Sequence, residues 1–431
     1  MPDEAASGWR RTLAGLVRPL IRYVSVMGIK AANIATGFVV TLLLARAGGP
    51  DVLGGYAMAL QTAQLVSILA VVGCDQLALR EIAAHVRLGD KAAAAGHMQH
   101  YLRFVTPLAL LVTGLYAAAM LALHEMGLAA AQEGVLIAAT GFVTANCFYL
   151  LGLGIVRGLG NPVYAQVFDG LYTLPLALVL GALLLSGHHI AAASSMLLST
   201  ACLVATMALL FVLVWRQMRD WHRVAVPDAP SPWREGMPMM LISFLMYFNQ
   251  WLPQFLAGVL GNVGDAGGFR AAWQLAMPFT VIQTTVTMMI SPHVSGDLRQ
   301  GRLDAARRRL QRNRWAAIAI TLPVALPLLI WPDPIITLVF GPAFAGTAPL
   351  VQWLVGANMV AIFMGPAGAI ITMAGRSRDT VPAIIAAAAV TAVLALLLTP
   401  PFGITGLAMA YAAGITLRVV QGGWLARRIL R

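Results

Sequence analysis

Long apolar stretches alternate with short polar or basic stretches along almost the whole chain. Each apolar stretch is roughly 20 residues long, which is the length a helix needs to cross the hydrocarbon core of a bilayer. The stretches lack the period-two alternation expected of a membrane β-barrel. The pattern predicts twelve transmembrane helices, at 24–45, 54–73, 104–124, 134–156, 164–186, 190–214, 237–260, 268–291, 315–331, 349–374, 381–399 and 404–425.

Composition agrees with an all-α polytopic membrane protein. The chain is 59% hydrophobic and 11% charged, whereas soluble domains carry about 25% charged residues. With the N-terminus placed in the cytoplasm, only Arg46 and Arg270 of the 29 Lys and Arg residues fall on the outer side. The net charge of +12 therefore indicates positive-inside bias and not nucleic-acid binding. We expect a bacterial inner-membrane protein with both termini in the cytoplasm.

The chain contains an internal repeat. The segment GGYAMALQ begins at Gly54 and GGFRAAWQ begins at Gly267, and 267 − 54 = 213 residues separate them. The segments open the predicted second and eighth helices, so the halves enter the membrane from the same side as parallel repeats around a central cavity. The predicted domains are a basic amphipathic interfacial segment at 1–23, a six-helix lobe at 24–214, a cytoplasmic linker at 215–236 and a second six-helix lobe at 237–431.

Polar side chains inside the predicted helices are the candidates for function. A charge near the centre of a membrane helix costs about 2.5–3.5 kcal/mol on insertion scales, and the ionisable side chains there are Lys30, Asp169, Arg270 and Arg418, with Arg46 at the outer rim. Amide side chains concentrate in helices one, two, seven and eight, which are repeat-related pairs. The predicted cavity residues are Lys30, Asn33, Arg46, Gln61, Asn249, Gln250, Gln254, Arg270, Gln274 and Asn358. Asp169, the only acid within a span, is the candidate for ion coupling.

Soluble catalytic chemistry is not evident in the sequence. There is no nucleotide-binding P-loop, and the predicted loops are too short for a membrane glycosyl- or acyltransferase. The histidines and cysteines show no metal-ligand spacing; they include His85, His97, His100, Cys74, Cys147 and Cys202. We therefore expect a transporter without catalytic residues, metal or cofactor. The energy source is left open between H⁺ coupling, Na⁺ coupling and the membrane potential.

Several segments resemble a known family. They are LARAGGPDVLGGYAMALQTAQLVSILAVVGCDQLALREIA (Leu44–Ala83), LVFGPAF (Leu338–Phe344), GPAGAIITMAGRSR (Gly365–Arg378) and PFGITGLAMAYA (Pro401–Ala412). In order and spacing they are similar to the O-antigen and lipid-linked oligosaccharide flippases of the multidrug/oligosaccharidyl-lipid/polysaccharide exporter superfamily.

The resemblance implies two six-helix lobes, a cationic central cavity and alternating access. It also implies a substrate, an oligosaccharide on a polyprenyl pyrophosphate that moves to the outer leaflet for polysaccharide biosynthesis. Partners would be the bilayer and the polymerase and export machinery. Arg46, Arg270 and Lys30 are the cations available for a pyrophosphate, and arginine offers the best hydrogen-bonding fork.

Other functions remain open at this point. A multidrug extruder of the same superfamily is the main alternative, although such a protein needs acids in its cavity and Asp169 stands alone. A lipid II flippase typically has two additional helices. A channel or a scaffold is a more distant possibility, because the repeat carries no pore-loop motif.

Overall fold

The structure is a computed structural model that describes residues 2–125, 133–222, 224, 226, 229–365, 370–371, 374 and 376–429. Within these ranges the chain is almost entirely helical and has no strand. The backbone of the predicted interfacial segment 1–23 is helical from Pro2 onward. Its side chains, on which the amphipathic prediction depends, lie outside the described part.

The helices of the first half pack mainly on one another, and we call them the N-terminal bundle. They are α1 (Pro2–Val71), α2 (Cys74–Arg87), α3 (Lys91–Glu125), α4 (Glu133–Ala138), α5 (Thr140–Gly158), α6 (Pro162–Phe168), α7 (Thr173–Leu185) and α8 (Ala192–Met218).

A short π-helical turn, Pro232–Gly236, leads into the helices of the second half, which we call the C-terminal bundle. They are α9 (Met237–Leu260), α10 (Val263–Arg299), α11 (Leu303–Ile330), α12 (Pro332–Phe340), α13 (Ala348–Met364), α14 (Val381–Phe402) and α15 (Ile404–Ile429).

Eight helical segments of the described chain are long and apolar enough to cross a membrane. One of them, Gly28–Val71, has 44 residues, or about 66 Å at 1.5 Å per residue, roughly twice the thickness of the hydrocarbon core. The backbone leaves helical geometry at Gly49, where φ is 70° and ψ is −165°. The predicted first and second spans are therefore the two arms of α1 on either side of Gly49.

The predicted span 164–186 matches the candidate span Val163–Leu185, but it is not one continuous helix. It consists of α6 and α7, separated by a turn at Asp169–Tyr172 in which Gly170 has a φ of 95°. This left-handed conformation suits glycine, which has no Cβ to clash with the backbone. Apolar length alone predicts a span but cannot locate such a break.

The repeated glycines bring the two bundles into contact beside Pro50, at what we call the Pro50 end of the molecule. A Cβ added to Gly54 would lie 1.9 Å from the carbonyl oxygen of Val263, and one added to Gly267 would lie 1.9 Å from the carbonyl oxygen of Pro50. The repeat relates the two contacts to each other, because Val263 lies 213 positions after Pro50 and Gly267 lies 213 positions after Gly54. The contact thus follows the repeat, and glycine permits it by letting the two backbones approach closely.

A second close contact joins the bundles at the opposite end, which we call the linker end. A Cβ on Gly73 would lie 2.4 Å from the carbonyl oxygen of Gly236, just before α9. Arg80 of α2 forms an ion pair with Glu235 in the same turn. Hydrogen bonds to Glu235 and then to Glu81 raise the pKa of Arg80 above its ordinary value. The start of the second bundle is therefore held against the end of α1 and against α2.

Candidate substrate cavity

A cavity of about 280 Å³ lies between the two bundles. Its wall comes from both arms of α1, from the start of α7 and from α9 and α10. The polar and aromatic lining residues are Asn33, Thr41, Tyr56, Gln61, Gln64, Tyr172, Thr173, Tyr247, Gln250, Arg270, Trp273 and Gln274. No aspartate or glutamate is among the lining residues. The cavity is therefore lined by one cation and by neutral hydrogen-bonding groups.

Arg270 is the cation of this cavity. It lies two positions after Gly268 in α10, so the repeat contact that holds α10 against α1 also places this side chain at the cavity wall. The phenol groups of Tyr56, Tyr172 and Tyr247 line the same space. Among the described residues no carboxylate forms an ion pair with Arg270. A half-buried cation without a counter-ion in a low-dielectric site favours an anionic ligand.

Gln61 and Gln274 occupy equivalent positions of the repeat, as the eighth residue of each segment. Their exposed fractions are 9% and 4%, and both line the cavity. The Oε1 atom of each is buried without a hydrogen-bond partner in the described chain. A buried acceptor left unpaired costs about 1–3 kcal/mol, so this pair is suited to accept hydrogen bonds from a ligand that carries hydroxyl groups.

A second cavity of about 160 Å³ lies within the C-terminal bundle and shares Gln250, Trp273 and Met277 with the first. Its polar lining residues are Asn249, Gln250, Thr280, Gln283, Asn358, Thr391, Tyr411 and Arg418. Arg418 is its only charged lining residue. Two adjoining cavities therefore each contain one arginine and no acid.

Asn33 lines the central cavity and also holds the break between α6 and α7 in place. Its Nδ2 donates hydrogen bonds to the carbonyl oxygens of Gln166, at 2.9 Å, and of Asp169. From the other side, the Tyr149 hydroxyl donates to the Phe168 carbonyl and accepts from the Gly170 N–H at 2.8 Å. These bonds satisfy backbone groups that the broken helix leaves unpaired.

Asp169 lies at this break and outside the lining of both cavities. Its Oδ2 is 3.6 Å from Nη2 of Arg157, at the end of α5, and both side chains are partly exposed. The carboxylate thus has a cationic neighbour on its own bundle. This geometry makes Asp169 a local counter-ion of Arg157.

The remaining predicted residues are distributed over several places. Lys30 lies on α1 one turn before Asn33 and lines neither cavity. Gln254 is buried away from both cavities, where its Nε2 donates to the Ala266 carbonyl at 2.8 Å and ties α9 to α10. Asn249 and Asn358 line the second cavity, where the Asn358 Oδ1 accepts from Thr280 at 3.0 Å.

Arg46 connects the bundles at the Pro50 end. Its Nε donates to the Val339 carbonyl at 2.9 Å, and its Nη2 donates to the Leu338 carbonyl. Both acceptors lie near the C-terminus of α12, where carbonyl groups lack intrahelical partners and carry partial negative charge. Arg46, which the sequence predicts as a cation at the outer rim, therefore joins the two bundles.

We expect Arg46→Ala to loosen this end of the molecule. The variant loses two hydrogen bonds from a charged donor, each of which contributes about 1.5–3 kcal/mol. Distance measurements between spin labels on α1 and α12 should show a larger open fraction, and Arg46→Lys should fall between the variant and the wild type because it keeps the charge without the fork. Unchanged label distances in Arg46→Ala would show that the contact does not hold this end closed.

The aromatic residues of the cavity are absent from the sequence predictions. Tyr56, Tyr172, Tyr247 and Trp273 all line it, but isolated aromatics in apolar helices resemble ordinary packing residues in sequence. One signal was present, because Tyr56 and Phe269 occupy equivalent repeat positions, as do Leu60 and Trp273. Only the packing of α1 against α7, α9 and α10 shows which of these rings face the cavity.

The helices and the cavity define a polytopic membrane protein of the transporter class, with a cavity between two helical bundles. Residues 24–295, more than half of the chain, match the family described as polysaccharide biosynthesis protein. The chain belongs to this family. A comparison with curated proteins finds no match.

Solved structures share the fold at low sequence identity. An inward-facing multidrug resistance transporter of the MATE family and MOP superfamily has a TM-score of 0.70 and 15% identity, covering 94% of this chain and 98% of its own. A MOP superfamily transporter from Pyrococcus furiosus, described as having a binding pocket of reverse polarity, has a TM-score of 0.63 and 16% identity over 94% of both chains. An outward-facing MATE transporter has a TM-score of 0.63 and 15% identity, with 95% of both chains covered.

Proposed function

We propose that the protein is a flippase that moves a polyprenyl-pyrophosphate-linked oligosaccharide from the cytoplasmic to the outer leaflet by alternating access. The observation that carries this proposal is Arg270, which forms no ion pair with a carboxylate among the described residues, in a cavity between the bundles whose lining contains no acid. Family membership supports it, because polysaccharide biosynthesis requires sugar units assembled on a lipid carrier to cross the membrane.

The cavity chemistry suits the two polar parts of this substrate. The planar guanidinium of Arg270 can donate two parallel hydrogen bonds to phosphate oxygens. The unpaired Oε1 atoms of Gln61 and Gln274 can accept hydrogen bonds from sugar hydroxyls. The ring of Trp273 supplies an apolar wall against which a sugar ring can lie. The polyprenyl tail would remain in lipid, since a cavity of about 280 Å³ is too small for it.

The same chemistry disfavours export of cationic drugs. A cation entering the central cavity would meet Arg270, and one entering the second cavity would meet Arg418, with no acid in either lining to offset the repulsion. Asp169 does not provide this charge, because it is placed beside Arg157. The proposed orientation places the linker end in the cytoplasm, so a dianion would move outward with an inside-negative potential.

The test is translocation of a lipid-linked oligosaccharide by the full-length protein in vesicles, with and without an imposed potential. The electrical driving force is about 2.3 kcal/mol per charge per 100 mV, so we expect the rate to rise when the receiving side is positive. Polyprenyl pyrophosphate without sugar should compete, and uncharged polyprenol should not. Export of cationic dyes without movement of the glycolipid would instead identify a drug extruder.

A further inference from the structure

A cluster of metal-ligating side chains lies at the linker end, apart from both cavities. Glu81 and His85 are four residues apart on α2 and so share a face of that helix. The turn at Leu88–Asp90 brings α3 back against α2 and places His97 beside them. One ligand atom of each of the three side chains lies within 4.8 Å of the others.

The two histidines are spaced like ligands of one metal ion. Their Nε2 atoms are 3.2 Å apart. Two nitrogens that are each about 2.05 Å from a tetrahedral zinc ion are separated by about 3.3 Å. The Glu81 carboxylate can close its remaining distance by rotation about its side-chain torsions, because Glu81 is only partly buried.

A hydrogen bond between the two histidines is the alternative explanation of this cluster, and it does not involve Glu81. In a neutral pair one Nε2 donates and the other accepts, so one ring keeps a proton on Nδ1 and the other keeps a lone pair there. The Nδ1 atoms of His85 and His97 are both buried without a hydrogen-bond partner in the described chain. The hydrogen-bonded pair therefore leaves the His97 Nδ1 unsatisfied, and also the His85 Nδ1 unless Asp90 moves toward it. Each unsatisfied nitrogen costs about 1–3 kcal/mol.

A metal ion changes which ring nitrogens must carry a proton. Both Nε2 lone pairs would bind the ion, and both rings would carry their proton on Nδ1. Asp90 is placed to accept one of these protons, since its Oδ2 lies 3.8 Å from the His85 Nδ1 and needs only a small movement to reach it. Carboxylates in this position orient metal-binding histidines and increase their basicity.

We propose that Glu81, His85 and His97 bind a divalent transition-metal ion, for which Zn²⁺ is the best match, and that the ion fastens α2 to α3 beside the start of the second bundle. Two imidazoles and one carboxylate form a ligand set that zinc accepts, with water in the fourth position. The site is independent of the proposed transport function. Its neighbour Arg80 forms the ion pair with Glu235 that joins the bundles at this end, so the metal would rigidify this junction.

Metal binding by the purified full-length protein tests the proposal. After treatment with a chelator, the wild type should bind one equivalent of Zn²⁺ in competition with a chromophoric chelator. It should also give the intense visible absorption of tetrahedral Co²⁺ when cobalt is added. His85→Gln and Glu81→Gln, which change partly exposed side chains, should each weaken Zn²⁺ binding at least tenfold. His97→Ala should abolish the cobalt spectrum.

Two further variants separate the metal site from folding and from adventitious binding. Asp90→Asn keeps an oxygen that can cap α3 at the Ala93 N–H but loses the charge beside His85, so we expect about 10-fold weaker binding. His188→Ala/His189→Ala removes two exposed histidines from another loop and should leave binding unchanged. Zn²⁺ should raise the melting temperature of the wild type and of this control but not of His85→Gln.

The proposal is overturned if the chelator-treated wild type binds no Zn²⁺, or if His85→Gln and His97→Ala bind it as well as the wild type does. In either case the histidines form only a hydrogen-bonded pair. Loss of binding in the His188→Ala/His189→Ala variant would contradict the proposal equally, because it would place the metal elsewhere.

Discussion

Arg270→Ala should strongly reduce glycolipid translocation while leaving the protein at least as stable as the wild type. A hydrogen bond to a charged group contributes about 1.5–3 kcal/mol, so losing the contact with the pyrophosphate should reduce transport roughly 10- to 150-fold. Stability should not fall, because the variant removes a cation that has no counter-ion among the described residues and so removes a desolvation cost. Transport of a lipid-linked oligosaccharide into vesicles and thermal unfolding measure the two effects.

Two variants define what Arg270 contributes. Arg270→Lys keeps the charge but loses the planar fork, so it should restore only part of the rate. Arg103→Ala removes an exposed cation of α3 that lines neither cavity and should transport like the wild type. If Arg270→Ala bound pyrophosphate normally and transported at the wild-type rate, Arg270 would not be the contact for the pyrophosphate. The central argument for the proposed site would then fail.

Gly267→Ala should separate the bundles at the Pro50 end and impair transport. The added Cβ would lie 1.9 Å from the Pro50 carbonyl oxygen, a distance at which one backbone must move. Overpacking of this kind costs about 1–3 kcal/mol, which corresponds to a shift of roughly 5- to 150-fold in the equilibrium between closed and open forms. Spin-label distances across α1 and α10 should report the shift, and vesicle transport should report the loss.

The repeat supplies an internal comparison for this prediction. Gly54→Ala should have a similar effect, because its Cβ would meet the Val263 carbonyl oxygen at the same distance of 1.9 Å. Gly114→Ala is the matched control, since a Cβ at this helical position of α3 has no heavy atom within 4 Å. If Gly267→Ala kept the wild-type distances and rate, the contact of the repeated glycines would have no role in closing this end.

The transporter class could be predicted from the sequence because it depends on local properties. Apolar length identifies helices that cross a membrane, and the family match agrees with the segments that carry the resemblance. The repeat also singled out Gly54 and Gly267, although their reciprocal contact with the backbones of Val263 and Pro50 is visible only in the structure. The repeat thus identified these two glycines from the sequence, but it did not identify the residues that they contact.

Site residues were harder to predict, because a polar side chain in a membrane helix can face a cavity or satisfy the backbone. From the sequence, both Gln254 and Gln274 were predicted to line the cavity. In the structure Gln254 binds a backbone carbonyl between α9 and α10. Gln274 instead lines the cavity, and its buried Oε1 has no partner among the described residues. Asn33 does both, since it lines the cavity and holds the break before α7. Partners distant in the chain decide between these roles.

By itself the sequence determined that the chain is a helical membrane protein with an internal repeat, and it pointed to Arg270. Hydropathy, charge bias and repetition are properties of the chain that need no knowledge of contacts. Only the tertiary structure decided that Arg270 is without a counter-ion among the described residues, that Arg46 joins the bundles, and that His97 meets Glu81 and His85. These facts depend on distances between helices, and helix packing sets such distances through side chains far apart in sequence.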